Sequence, residues 1–110
     1  MYAVFRETRY AEGKRIENTT QYRAFHQAHS EQPGYVGTAV ADVGGGRLLT
    51  VTLWRTEDDM RAAREALGPV IGDLLEPLMA APSALLGTGR VVVGDLVGMN
   101  ADESRQGRVR

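Results

Sequence analysis

Two segments in the middle of the chain, residues 36–43 and 47–55, alternate β-forming apolar residues with small and polar ones. This period of two is typical of β-strands. The segments flank three consecutive glycines, Gly44 to Gly46, and glycine readily adopts the positive φ that a tight turn requires. The pattern therefore predicts an antiparallel hairpin that ends near Trp54, the single tryptophan of the chain.

The register of this hairpin decides which side chains share a face, since a slip of one residue exchanges the two faces. With Gly44-Gly45 as the turn, Asp42 lies opposite Arg47, whereas a three-residue loop would place Val43 there. The first register puts Val36, Thr38, Val40, Leu49, Val51 and Leu53 on an apolar face, and Tyr35, Gly37, Ala39, Ala41, Leu48, Thr50, Thr52 and Trp54 on the other. The second face combines small residues with hydroxyls and one indole, so we expect space beside it.

The segments before the hairpin predict a strand and a helix. Residues 2–10 alternate β-formers with polar residues, and Arg6 shares a face with Val4. From about Glu17 the apolar residues recur at helical spacing, and residues 18–20 all have side chains that can cap the helix. Pro33-Gly34 is expected to end it.

The segments after the hairpin predict a second helical region and a closing strand. Thr56 precedes three acidic residues, which is the pattern of a capped helix N-terminus. Gly68-Pro69 interrupts the helical series, so two helices are expected near 57–67 and 69–79. The apolar run at 89–97 predicts the last strand.

This order, β-α-β-β-α-β, is that of a ferredoxin-like α+β fold, in which helices cover one face of a four-stranded antiparallel sheet. The elements form one domain over residues 1–98, and residues 99–110 are expected to be a disordered tail. Because the uncovered face of the hairpin is apolar, we expect two subunits to pack sheet against sheet as a homodimer, with Asp42 and Arg47 near the rim.

Composition limits the partners of such a domain. A net charge of −1 in 110 residues gives no electrostatic reason to expect nucleic acid or a membrane surface. The sequence contains no cysteine, which excludes disulfides and thiolate metal sites and fits a cytoplasmic location. The first ten residues do not have the pattern of a signal peptide, and no run is long enough to span a membrane.

Several of these segments resemble the antibiotic biosynthesis monooxygenase (ABM) family of dimeric α+β barrels, over about residues 1–98. The similar parts are the step Pro33-Gly34-Tyr35-Val36-Gly37, the strand end Leu53-Trp54-Arg55-Thr56-Glu57-Asp58, the interrupted second helix and the closing strand. The resemblance implies a pocket between sheet and helices in each subunit of a homodimer. It also implies oxygenation of an electron-rich polycyclic phenol by dioxygen with no cofactor, because the substrate supplies the electrons.

The candidate site residues follow from this resemblance and from the predicted faces. Trp54 matches the strand-end tryptophan of the family and shares a face with Thr50 and Thr52, while some family monooxygenases have an asparagine at the position of Thr50. His29 lies on the helix stripe of Tyr22, and an ordinary pKa of about 6.5 would suit a base for a phenol. The expected catalytic residues are His29 and Trp54, and the expected substrate-binding residues are Tyr22, Tyr35, Thr50 and Thr52.

Other interpretations of these residues stay open. His29 can be a histidine at the core edge that is hydrogen-bonded to backbone, and Trp54 can be a packing anchor. His26 and His29 have a spacing that suits a metal, but no third ligand lies at a recognised spacing, and we expect no metal. Arg6 can bind an anionic group or lie solvated on an edge strand. The protein can also be a dimer that binds a ligand without catalysis.

Haem degradation is the alternative enzymatic activity for this fold. The haem-degrading branch resembles the chain in Trp54, but it needs an asparagine on the first strand and an axial histidine on the second helix. Arg6 and Glu7 occupy the strand positions, Ala63 and Arg64 occupy the helix positions, and no histidine follows His29. We therefore expect no haem ligation by the usual residue.

Overall fold

The structure, a computed structural model, describes residues 1–10, 15–16 and 19–96. The order of elements is β1 (Tyr2–Tyr10), α1 (Thr20–Ser30), β2 (Tyr35–Gly44), β3 (Arg47–Trp54), α2 (Glu57–Val70) and β4 (Met79–Arg90), with a π-helical turn (Ile71–Leu75) and a 3-10 turn (Glu76–Leu78) between α2 and β4. The four strands form one antiparallel sheet in the order β2-β3-β1-β4. The predicted ferredoxin-like α+β arrangement is confirmed.

The hairpin forms as predicted, but its register differs. Gly44 pairs with Arg47, so the turn is Gly45-Gly46 rather than Gly44-Gly45, and Asp42 pairs with Leu48. Each of the three consecutive glycines has a positive φ, so their sequence did not favour one turn position over the next. The pairing across the middle of the hairpin is therefore one residue away from the expected one.

Irregularities at both ends of β2 then decide which side chains face the helices. The pairing shifts between Asp42 and Gly44, and again between Tyr35 and Gly37. Thr38 and Val40 consequently pair with Thr52 and Thr50 and lie on the helix-facing side of the sheet. The predicted faces of β3 are correct, whereas those of β2 between these two shifts are exchanged. The opposite side is here called the outer face, and it carries Glu7, Arg9 and Arg47 at one end. Its apolar and small residues are Ala3, Phe5, Gly37, Ala39, Ala41, Leu49, Val51 and Leu53.

Both helices begin at a threonine cap. The Thr19 hydroxyl accepts a hydrogen bond from the Tyr22 amide at 3.0 Å, and the Thr56 hydroxyl accepts one from the Asp59 amide at 3.0 Å. These bonds satisfy amides that have no partner within the helix. Since Thr56 directly follows β3, its cap fixes where α2 leaves the sheet.

The second helical region is arranged differently from the prediction. α2 continues through Gly68 and Pro69 to Val70, and the irregularity follows in the π-helical turn, where the Glu76 amide donates to the Ile71 carbonyl. The predicted break at Gly68-Pro69 is therefore wrong, whereas residues 69–78 are helical, close to the predicted range of 69–79. The chain then enters β4 at Met79, so the predicted strand at 89–97 is wrong. The tail prediction for residues 99–110 lies outside the described residues.

The early start of β4 has a physical explanation. Its sequence contains alanine, serine, glycine and Pro82, none of which favours a strand by itself. Pairing with β1 holds this segment in the extended conformation of a strand. β4 also lies at the edge of the sheet, where a proline, which has no amide hydrogen, is tolerated. β1 is correspondingly an internal strand, between β3 and β4.

The core lies between the sheet and α2. Trp54, Met60, Ala63 and Leu67 form its buried cluster, and Tyr2, Val4, Ala28, Tyr35 and Val70 pack partly buried against it. α1 has no fully buried residue. Among the described residues, no helix is both long and apolar enough to cross a membrane.

Gly34 provides a test of how tightly the helix layer approaches the sheet. Its φ is +81°, and a Cβ at this position would overlap the Asp59 side chain at the start of α2. We expect Gly34→Ala to lower the free energy of unfolding by about 1–3 kcal/mol, because the alanine would combine a strained backbone with this overlap. Urea unfolding measures the change.

Gly68→Ala in α2 is the matched control, since nothing lies within 4 Å of the position that its Cβ would occupy, its φ is not positive and it lies away from the outer face. This second substitution should leave stability unchanged or slightly raised. Equal losses in both variants would contradict the close approach at Gly34.

Candidate functional site

A cavity of about 270 Å³ lies between the helix-facing side of the sheet and the helices. This volume is close to the lower end of the range for small-molecule pockets, roughly 300–1,000 Å³. The sheet contributes Val4, Arg6, Thr8, Thr38, Val40, Leu48, Thr50, Thr52 and Trp54, and α1 and α2 contribute Tyr22, Phe25, His29, Met60, Ala63, Arg64 and Leu67. The wall is thus largely apolar and aromatic, with a few polar groups.

Short hydroxyl side chains on β2 and β3 leave this space open. The hydroxyls of Thr38 and Thr52 are hydrogen-bonded to each other at 3.0 Å, which satisfies the buried Thr52. Thr50 lines the cavity two residues earlier on β3, and its hydroxyl has no hydrogen-bond partner within the described part of the chain. Thr50 can therefore exchange a hydrogen bond with a ligand.

An aromatic cluster closes one end of the cavity. The His29 ring lies 5.1 Å from the Phe25 ring, 5.2 Å from the Tyr35 ring and 5.5 Å from the Trp54 ring, measured between centroids. Tyr35 also meets Trp54 edge to face, with an interplanar angle of 82°. Tyr35, predicted to bind substrate, is not among the residues that line the cavity, and its ring packs against His29 and Trp54.

The environment of His29 changes its acid–base chemistry. Burial lowers the pKa of His29 to about 4, with a smaller contribution from the charge of His26. The expectation of an ordinary value near 6.5 is therefore wrong, because the aromatic cluster removes water that would solvate an imidazolium. Among the described residues the ring nitrogens have no hydrogen-bond partner, so the predicted alternative of a backbone-bonded histidine is not observed either. A neutral imidazole thus lines the cavity at neutral pH.

Trp54 belongs both to the core and to the cavity wall. Its side chain is only 3% exposed, and it is a member of the buried cluster. No acceptor for its indole N–H is found among residues 1–10, 15–16 and 19–96. A buried donor normally has a partner, so a ligand oxygen in the cavity would satisfy it.

Two arginines line the same cavity: Arg6, for which binding of an anionic group was one of two open interpretations, and Arg64, which the sequence did not place in the site. Arg6 is on the internal strand β1 rather than on an edge strand, and Arg64 projects from α2. Burial lowers the pKa of Arg6, and the positive charge of Arg64 lowers it further. The alternation of β1 already placed Arg6 with Val4, and this was the sequence signal for its position. Glu76 is the carboxylate of the cavity wall.

The fold was compared with solved structures. NE2512, a protein of unknown function from Nitrosomonas europaea, superposes with a TM-score of 0.69 at 10% identity, covering 86% of this chain and 92% of that one. A Chloroflexus aurantiacus protein assigned to the antibiotic biosynthesis monooxygenases gives 0.61 at 20% identity, covering 86% and 95%. An asparagine-to-alanine variant of SnoaB, a cofactor-independent oxygenase from Streptomyces nogalater, gives 0.63 at 15% identity, covering 84% and 95%.

The chain has the fold of the antibiotic biosynthesis monooxygenases. The match lies in the arrangement of the backbone, since the identities are low. No family model matches the sequence, and no curated protein is similar enough in sequence to match it.

Within this ABM fold, the positions where a metal or haem would need ligands hold other side chains. The described residues contain no group of three or more histidine, aspartate or glutamate side chains that could hold a metal ion. His26 is exposed and stacks on Tyr22 at 6.3 Å, outside the cavity wall. α2 presents Ala63 and Arg64 to the cavity, where the haem alternative requires a histidine.

The lowered pKa of His29 predicts a specific pH dependence of stability. As the pH falls below 6.5, the unfolded chain takes up a proton at His29, whereas the folded chain takes it up only near pH 4. The stabilisation is thus complete above pH 6.5 and is lost as the pH falls towards 4. We expect a loss of about 1–3 kcal/mol, discounted for the partial exposure of the ring.

Urea unfolding of the wild type and of His29→Gln at pH 7 and pH 4.5 measures this loss. The wild type should lose more stability than the variant, and His26→Gln should remove only the smaller contribution of its own charge. Parallel losses in the wild type and in His29→Gln would show that His29 titrates normally.

Proposed function

We propose that the chain is a cofactor-independent monooxygenase that oxygenates an electron-rich phenolic ring held in the cavity. The observation that carries this proposal is the pair of polar groups at the aromatic end of the cavity. His29 and Trp54 both line the cavity, and neither the imidazole nitrogens nor the indole N–H has a hydrogen-bond partner among the described residues. The ABM fold, which is shared with an oxygenase that needs no cofactor, supports the same proposal.

Each polar group has a role in this reaction. A phenol hydroxyl donates a hydrogen bond to a bare nitrogen of His29, which then accepts the proton as the phenolate forms. The indole N–H of Trp54 donates to a substrate oxygen, and the Thr50 hydroxyl offers a further contact. Tyr22 lines the cavity beside them, while Tyr35 holds the rings of His29 and Trp54 in place.

The reaction balances without electrons from the protein. In an anthrone-type substrate, the ring CH₂ group becomes a carbonyl and gives four electrons to dioxygen. One oxygen atom enters the quinone and the other leaves as water with the two hydrogens. The cavity contributes by excluding water, because the apolar wall keeps the phenolate unsolvated and reactive.

A ligand-binding protein without catalysis is the second candidate function. Thr50 favours it, because a hydroxyl cannot donate and accept in the manner of the carboxamide that some ABM monooxygenases have at this position. The cavity and its aromatic end would then bind an aromatic molecule, and no oxygen would be consumed.

We also propose that the outer face forms a homodimer interface. Phe5 is 46% exposed on this face, and with Val51 and Leu53 it lines a shallow depression beside the chain at 91–96. Val92 and Val93 in that segment are 76% and 91% exposed. Contiguous exposed apolar surface of this kind is typical of protein interfaces.

Oxygen consumption tests the proposed activity. With anthrone under air, the wild type should consume oxygen faster than buffer, and His29→Gln should lower the rate by about 100-fold, the lower end for loss of a general base. Trp54→Phe keeps the aromatic bulk and removes the N–H, and it should lower the rate by about tenfold. His26→Gln, on the exposed side of the same helix, should retain the wild-type rate.

The same assay separates the two candidate functions. Quenching of the single tryptophan by the phenol, with no oxygen uptake by the wild type, would identify a binding protein. Unchanged rates in both cavity variants would refute the assignment of His29 and Trp54.

Light scattering tests the dimer. The wild type should have the mass of a dimer at micromolar concentration, and Phe5→Glu should shift it to monomer, because a carboxylate would be buried against an apolar surface. Ala62→Glu adds the same charge to the exposed side of α2 and should leave the mass unchanged. A monomeric wild type would refute the interface.

A further inference from the structure

The side chain of Arg6 is unusual among the charged groups of the protein. It starts from an internal strand, faces the helices and is partly buried in the cavity wall between Val4 and Thr8. Arg64 approaches the same cavity from the exposed surface of α2. Two guanidinium groups from different elements therefore meet at one space.

Neither guanidinium has an anionic partner in the described part of the chain. No carboxylate lies within ion-pair distance of Arg6 or Arg64, although Glu76 belongs to the same wall. Arg47 and Arg61 are paired, by contrast, since Nε of Arg47 donates to Glu7 at 2.6 Å and Nη2 of Arg61 donates to Glu57 at 2.6 Å. With His29 neutral, the ionised groups of the cavity wall carry a net positive charge.

An unpaired cation in an apolar wall has a cost. A charge that leaves water without a partner destabilises the folded protein, and a second like charge nearby adds to the penalty. Both effects are reflected in the lowered pKa of Arg6. An anion in the cavity would relieve both penalties.

We propose that Arg6, assisted by Arg64, binds a carboxylate of the substrate, so that the substrate is an aromatic acid. This inference rests on the proposed function and names its substrate class. The planar guanidinium fork of Arg6 matches a carboxylate with two parallel hydrogen bonds. Arg64, at the exposed side, adds attraction and guides the anion into the cavity.

The sheet register also orients the substrate. Arg6 pairs with Thr50, while Tyr2 pairs with Trp54, so the backbone of the arginine and that of the indole are separated by four residues along the sheet. At about 3.3 Å per residue this separation is about 13 Å. A fused ring system can therefore have its carboxylate at Arg6 and its phenol at His29 and Trp54, at opposite ends.

Calorimetric binding of a matched pair of probes tests this inference. The probes are 6-hydroxy-2-naphthoate, with its two polar groups at opposite ends, and its uncharged amide. The wild type should bind the carboxylate about tenfold more tightly than the amide, as expected for a hydrogen-bonded charge pair. Arg6→Gln should abolish this preference, Arg64→Gln should reduce it, and Arg6→Lys should keep part of it.

Arg61→Gln is the matched control, because it removes the same charge from the same helix outside the cavity wall and should retain the preference. Thermal unfolding of each variant gives an independent readout. Arg6→Gln should keep or raise Tm, since it removes an unpaired charge. A fall in Tm with an unchanged carboxylate preference would show that Arg6 is structural.

The outcomes distinguish failure of the carboxylate site at Arg6 from failure of the proposed function of the cavity. If the wild type binds both probes equally, or if Arg6→Gln retains the preference, the carboxylate site is overturned while the aromatic cavity stands. If neither probe binds, the proposed function fails together with it. Tighter binding of 6-hydroxy-2-naphthyl phosphate than of the carboxylate would overturn the assignment to an aromatic acid.

Discussion

The packing of His29 between Trp54, Tyr35 and Phe25 is the interaction on which the site depends. α1 has no fully buried residue, so this aromatic contact carries much of its attachment to the sheet. These aromatic rings are large, and they hold α1 apart from the sheet at the aromatic end of the cavity. Farther along the sheet the cavity-facing side chains of β2 and β3 include Thr38, Thr50 and Thr52, which are much shorter than the rings, and the cavity results from that difference in size.

The same packing determines the charge state of the site. The aromatic rings displace water from His29 and keep it neutral, while Arg6 stays charged because a guanidinium loses its proton only far above neutral pH. One end of the cavity thus offers neutral hydrogen-bonding groups and the other offers positive charge. Arg47, which lies outside the cavity, is instead neutralised by an ion pair with Glu7.

Local patterns in the sequence predicted the parts of this arrangement that depend on neighbouring residues. The alternation of β3 placed Thr50, Thr52 and Trp54 together, and the hydroxyl of Thr56 predicted the start of α2. The turn among three glycines was ambiguous because each glycine tolerates positive φ, and the error exchanged the faces of β2. This error in the turn position did not change the predicted cavity face of β3, so the site residues on that strand were still predicted correctly as neighbours.

Features that depend on distant pairing could not be predicted in the same way. β4 is a strand because β1 holds it, despite a sequence poor in β-formers. That pairing makes β1 internal, so Arg6 is a group of the cavity wall and not a solvated residue of an edge strand, which was one of its two open interpretations. The pKa of His29 likewise depends on residues from three elements that meet only in the folded chain.

The lowered pKa of His29 and the positive charge of the arginines have linked effects on the proposed reaction. A histidine with a pKa near 4 is a poor base for a phenol, because proton transfer from phenol to imidazole is then strongly unfavourable. A net positive charge in the same apolar cavity lowers the pKa of a bound phenol, since it favours the phenolate. One substrate carboxylate brings the formal charge of Arg6, Arg64 and Glu76 together to zero, whereas a second carboxylate would make the cavity negative and raise the pKa of the phenol. The chemistry therefore favours a substrate with a single carboxylate, held mainly by the buried arginine.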